Sequence, residues 1–215
     1  MSGGTPNAAS SYISAIKVRG NLIGTALSSS RGRPQASSAC DCCGRTESLA
    51  HILQVCPRTH ASCIARHDKI VDLVEQALTR KGYSISRESA IPTPAGIRKP
   101  DLVVARGSAV IVWDVTVVAD NADLALSHGR KCEYYDTPAV RECVRDRYGS
   151  GEVTFSAVAL NWRGSMAILF ARGLRSLGVS GALLGLISFV TLERGSWIVN
   201  HFRRSAYRVR QYDGV

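Results

Sequence analysis

Acidic residues are scarce in this chain. It has 17 aspartates and glutamates against 27 lysines and arginines, a formal net charge of +10 over 215 residues. That imbalance suits a polyanionic partner, either nucleic acid or an acidic membrane surface. Two further absences bear on the choice. The opening stretch MSGGTPNAASSYIS lacks a charged segment followed by an apolar core, so no secretory leader is expected. The longest apolar run, 179–192, is short and interrupted by Ser180, Gly181, Gly185 and Ser188, so no membrane span is expected. Nucleic acid is then the favoured partner. Seven cysteines are an odd number, and without a leader they point to reduced thiols in an intracellular compartment instead of disulfides. The remaining composition, 45% hydrophobic and 20% charged, is globular, enough for one core or one core plus a small module.

The chain is organised around residues 99–118, KPDLVVARGSAVIVWDVTVV. Two β-branched runs flank Gly107-Ser108, which reads as a two-residue hairpin with glycine at the positive-φ position of a type II′ turn. Arg106 then faces Ala109, Val104 faces Ile111, and Asp101 stands opposite Asp114. Val103, Ala105, Val110 and Val112 share one face with the acids. Leu102, Val104, Ile111, Trp113 and Val115 form the other, so both faces are expected to be buried. Two carboxylates with Cβ atoms about 5 Å apart repel unless a cation lies between them, and a divalent metal fits. A solvated pair bridged to Lys99 or Arg98 is the bland alternative.

The strongest ligand pattern is C-x2-C-x7-H-x4-C at Cys40, Cys43, His51 and Cys56, which suits a tetrahedral zinc ion. So short a segment would take its folding free energy from the metal. Cys42 and His60 compete as ligands.

Around these lie a weak helical pattern over 12–27, a basic connection at 28–38 with Arg31 and Arg33 as phosphate contacts, and a helix over 58–81. The stripe of that helix, Ile64, His67, Val71, Val74 and Leu78, is expected to face the core, with His67 a satisfied core or boundary residue. Residues 1–11 are expected to be disordered. A strand over 83–91 leads through Pro92 and Pro94 into the hairpin, and Asp120 or Asn121 caps a helix reaching Tyr135. Another strand spans 153–160, followed by helices at 166–177, 183–192 and 197–207. Glu75 and Glu88 are candidate outer acids. The result is an α/β unit with a mixed sheet flanked by helices.

Pro100-Asp101 with Asp114 resembles the PD-(D/E)xK nuclease motif, departing from it at Thr116, where the motif lysine would stand. Lys131 on the following helix is the substitute, with Lys99 competing. Together with the upstream knuckle, residues 40–135 resemble the C-terminal restriction-like endonuclease region of site-specific non-LTR retrotransposon proteins that insert into ribosomal RNA genes. The resemblance implies a restriction-endonuclease-like fold and a nuclear DNA endonuclease that nicks double-stranded target DNA to prime reverse transcription. It implies catalytic Mg²⁺ or Mn²⁺ on Asp101 and Asp114, assistance by Lys131, and structural zinc on Cys40, Cys43, His51 and Cys56. It also implies an upstream reverse transcriptase domain, and leaves the element RNA open as a second partner. Expected nucleic-acid contacts are Arg31, Arg33, Lys99 and Arg130. The expected division is an arm and linker at 1–38, the knuckle at 39–57 and the nuclease at 58–215, with no motif assignable after residue 160. A binding module without catalysis, a branched-DNA resolvase and a protein-interaction platform are the rivals.

Overall fold

A computed structural model describes residues 8–149 and 151–212. The chain forms two compact units. One comprises residues 1–66, 162–164 and 188–215, the other residues 67–161 and 165–187.

The second unit is built on six strands: β1 (Ser84–Arg87), β2 (Ile91–Thr93), β3 (Gly96–Arg98), β4 (Leu102–Arg106), β5 (Ala109–Val118) and β6 (Glu152–Asn161). Four of them form a mixed sheet in the order β1-β4-β5-β6, with β5 and β6 parallel and the other pairs antiparallel. The β4–β5 register is the one the hairpin spacing dictates: Arg106 pairs with Ala109, Val104 with Ile111 and Leu102 with Trp113. Gly107 takes φ 59°, as the turn requires. Asp101 and Asp114 are therefore the next residues to meet beyond the last pair.

Eight α-helices accompany the strands among the described residues: α1 (Ala8–Arg19), α2 (Ala26–Ser30), α3 (Leu49–Gln54), α4 (His60–Thr79), α5 (Leu124–Tyr135), α6 (Pro138–Tyr148), α7 (Ile168–Ser176) and α8 (Gly181–Tyr212). The sheet is covered on both faces, as its unbroken apolar strands require. Leu102, Val104, Trp113 and Val115 pack with Ile70, Val71, Val74 and Leu78 of α4 and Phe170 and Leu174 of α7. Val103, Val110 and Val112 pack with Tyr135, Val140 and Val144 on the other side. These are the two faces read from the hairpin.

Several expectations are corrected. Ile64 is 48% exposed, and the buried stripe of α4 runs instead through Ser62, Arg66, Ile70, Val71, Val74 and Leu78. The strand expected over 83–91 stops at Arg87, and Pro92 lies in a separate two-stranded hairpin, β2–β3. Asp123 caps α5, not Asp120 or Asn121: its carboxylate accepts from the amides of Ala125 and Leu126. Helix α6 was not expected, although Thr137 caps it, Pro138 opens it and Gly149 closes it at φ 60°. Disorder over 1–11 was expected; residues 1–7 lie outside the described residues, and 8–11 are helical. The helices anticipated at 183–192 and 197–207 are one helix, α8. Its interior Gly195 marks a close approach instead of a break, since a Cβ there would lie 3.3 Å from Val18 Cγ1.

Continuity makes α8 apolar and long enough to cross a membrane by length and composition, which its separate pieces were not. Its Ile187, Val190, Leu192, Ile198, Val199 and Phe202 are nevertheless buried, as in a core helix.

Charge divides unevenly. The first unit holds thirteen lysines and arginines against four acids, net +9, while the sheet unit holds fourteen against thirteen, net +1.

Candidate metal centres

Asp101 precedes β4 and Asp114 lies within β5, so the hairpin sets them side by side at one end of the sheet. Asp114 is 5% exposed. Its Oδ1 accepts a hydrogen bond from the Tyr135 hydroxyl at 2.8 Å. Its Oδ2 forms an ion pair with Lys131 Nζ at 2.8 Å. Burial pushes the Asp114 carboxyl above its usual range, with Asp101 adding repulsion and the Lys131 contact opposing it. Asp101 Oδ2 accepts from the Val115 amide at 2.6 Å and faces His67 Nε2 at 3.2 Å. The same Nε2 is 3.1 Å from the Val115 carbonyl. The contact with Asp101 raises the His67 pKa to about 9, against the opposing effect of burial.

A buried carboxylate set beside a second one fits a hard divalent cation, which takes oxygen ligands and fills its remaining positions with water. Asp101 and Asp114 would hold it.

The other sequence-derived candidates are dispersed. Glu75 pairs with Arg87 at 3.1 Å. Glu88 is exposed and follows β1 with φ 44°, its amide donating to the Asp101 carbonyl at 3.2 Å. Neither joins the two aspartates in a three-ligand group among the described residues. Lys99 is exposed, and its carbonyl lies 3.0 Å from the Tyr135 hydroxyl. Arg130 is exposed and lines a cleft of about 390 Å³ with Lys131, Tyr134, Tyr135 and Thr116. Arg31 and Arg33 are exposed in the other unit.

Tyr135 is a polar neighbour of the acids that the sequence did not single out, and His67, expected as a satisfied core or boundary residue, is partly buried against Asp101 at 3.2 Å. His67 sits three residues before buried Ile70 on an amphipathic helix, which disguised it as a core position. Tyr135 carried a faint signal: it lies four residues after Lys131, and so on the same helical face.

The zinc pattern assembles in the first unit. Cys40 and Cys43 flank a tight turn closed by the Gly44 amide on the Cys40 carbonyl at 2.8 Å, with Gly44 at φ 72°. Ser48 caps α3 by accepting from the His51 amide, which presents the imidazole from the first turn. The ligand atoms of Cys40, Cys43, His51 and Cys56 all lie within 4.8 Å of one another. Cys40 Sγ is 3.9 Å from Cys56 Sγ, and Cys43 Sγ is 3.4 Å from His51 Nε2. Tetrahedral zinc bonds would give edges of about 3.8 Å between sulfurs and about 3.6 Å from sulfur to nitrogen. Burial pushes the Cys56 thiol up to about 12 and lowers the His51 pKa, so the imidazole is neutral and ready to ligate while the thiol needs a metal to ionise. The group can hold a zinc ion. Cys42 and His60 are exposed and outside it.

No family model matches the chain. Among curated proteins it is 36% identical over 160 residues, 72% of its length, to the retrovirus-related Pol polyprotein from the type-1 retrotransposable element R2 of Popillia japonica. It is 32% identical over 94% of its length to the corresponding R2 protein of Nasonia vitripennis. To the type-2 element R2DM protein of Drosophila melanogaster it is 33% identical over 77%. It spans only 32%, 20% and 16% of those three proteins. Its homologues are thus Pol polyproteins of R2 retrotransposons, and the chain corresponds to one segment of such a protein.

Proposed function

We propose that the chain is the endonuclease segment of an R2-type retrotransposon protein, a divalent-metal-dependent enzyme that nicks target DNA to prime reverse transcription. The observation that carries this is the Asp101–Asp114 pair set side by side, with Asp114 buried and Lys131 Nζ 2.8 Å from its Oδ2. A bound Mg²⁺ or Mn²⁺ supplies Lewis-acid activation of water and neutralises charge on the phosphate. The protein does the rest. Asp101 and Asp114 hold the cation, Tyr135 orients Asp114, and the Val115 amide with His67 orients Asp101. Lys131 offsets the charge that builds on the phosphate as water adds to phosphorus and the bond to the 3′ oxygen breaks, leaving a 3′ hydroxyl. Arg130 and Lys99 hold the DNA backbone, and the reading includes a double-stranded DNA target, an upstream reverse transcriptase domain and nuclear action.

A binding module without catalysis is favoured by one observation, the commitment of Glu75 to Arg87, which leaves the pair without a third carboxylate. Nicking of supercoiled plasmid with Mg²⁺ or Mn²⁺ decides between the two. Nicking by the zinc-loaded chain that vanishes in Asp101→Ala and Asp114→Ala supports the nuclease. Absence of nicking, with DNA binding unchanged in both variants, supports the binder.

A further inference from the structure

The positive excess of the chain lies almost wholly outside the sheet unit, so what the first unit grips is a separate question from what Asp101 and Asp114 act on. Helix α8 carries an unusual stripe there. Arg194, Trp197, His201 and Arg204 recur at intervals of three, four and three residues, which places them on one helical face about 15 Å long. Trp197 is 50% exposed, whereas the other two tryptophans, Trp113 and Trp162, are each 1% exposed. The His201 ring stacks on the Trp197 ring at 5.7 Å between centroids and 24° between planes. Arg194 and Arg204 form no ion pair among the described residues.

Beside the stripe runs a groove of about 320 Å³. Ser10, Ser11 and Ser14 of α1 line one wall, and Glu193, Arg194, Trp197 and Asn200 of α8 the other. Small hydroxyl-bearing residues leave the groove shallow at the indole and supply hydrogen-bonding groups along it. The single carboxylate, Glu193, is outnumbered in a unit of net +9.

We propose that this face of α8 binds single-stranded nucleic acid, with an unpaired base stacked on Trp197 and the flanking phosphates on Arg194 and Arg204. The stacking surface selects the partner class. In a duplex the base faces are stacked on one another and only their edges are exposed, so a flat indole on a helix surface is matched by an unstacked base. The arginines at either end are about 15 Å apart along the helix, within reach of phosphates near that base through their long side chains. The site is independent of the nuclease assignment, since all its residues belong to the first unit.

Trp197 is its own reporter, because the other two indoles are shielded. The zinc-loaded full chain, without added divalent metal, is titrated with a mixed-sequence 12-nucleotide DNA strand, the same sequence as RNA, and the corresponding duplex. Quenching of the exposed tryptophan emission by a single strand, with an affinity that falls about tenfold or more in Trp197→Leu and less than about threefold in Trp197→Phe, supports the proposal. The DNA and RNA arms identify the preferred strand. Arg194→Gln and Arg204→Gln should each reduce the slope of affinity against salt by about one. Duplex that quenches as strongly as either strand, or Trp197→Leu that binds as tightly as the unmodified chain, overturns it. So does emission untouched by any nucleic acid, which would leave the indole as a protein contact.

Discussion

Replacing Lys131 by methionine removes an ammonium while keeping most of the packing, and it isolates what the lysine does for Asp114. Breaking a fully buried ion pair by removing one partner costs about 3–5 kcal/mol. Lys131 keeps 38% of its side chain exposed, so solvent screening reduces the expected loss to about 1–2 kcal/mol. The pH dependence follows from the sign of the Asp114 shift. Its carboxyl already lies above the ordinary value because of burial, so ionising it opposes folding, and Lys131 limits that cost. In Lys131→Met the carboxyl rises further. The stability difference between the two proteins should therefore be full at alkaline pH and shrink as the pH falls far enough for Asp114 to protonate and no longer need a counter-charge. Urea denaturation of zinc-loaded protein at several pH values reads this out. Calorimetric titration with Mn²⁺ adds a second arm: without the competing ammonium, Asp114 should bind the ion at least as tightly, while plasmid nicking slows. Equal stability of the two proteins across the pH range would refute the coupling between Lys131 and Asp114, and weakened Mn²⁺ binding would refute the competition.

In metal-free protein the His67 imidazole should titrate near 9, and Asp101→Asn should bring it back toward 6.5, as followed by proton NMR. Because the folded value is raised, the stabilisation from His67 is complete below about pH 6.5 and lost as pH rises through about 9; His67→Gln should flatten stability across that window. Cys43→Ser should remove one of the four ligands and lower bound zinc from roughly one ion per chain, and chelation should unfold the knuckle while the helical signal of the sheet unit persists, as metal analysis and circular dichroism would report. Gly164→Ala should destabilise by about 1–3 kcal/mol in thermal denaturation, since φ is +76° and the added Cβ would lie 2.8 Å from the Ser188 carbonyl oxygen.

The hairpin, its register and its two buried faces were legible because period-two alternation around Gly107-Ser108 is a local property, and the acid pair followed from counting. The Cys3His group that can hold zinc was legible because all four residues lie in a single short stretch. Elsewhere the informative signals were long-range. Nothing near His67 announces that it meets a residue 34 positions later, and nothing near Gly195 announces that Val18 comes within reach of its missing Cβ. Helix α6 is a different case: Thr137, Pro138 and Gly149 signal its start and stop locally, but its apolar stripe is thin, only Val140 and Val144 being buried, so the periodicity passed unnoticed.

The lopsided charge allows affinity and turnover to be tuned apart. A unit of net +1 gains little from long-range attraction to a polyanion, so time spent on nucleic acid should be governed by the unit of net +9 and should shorten steeply as salt rises. In the proposed nuclease, the rate of cleavage once bound would depend on Asp101, Asp114 and the metal they would hold, and vary far less with salt. Substitutions on one unit can then change how long the protein stays without altering how fast it works, and a cell or an engineer can adjust either setting alone.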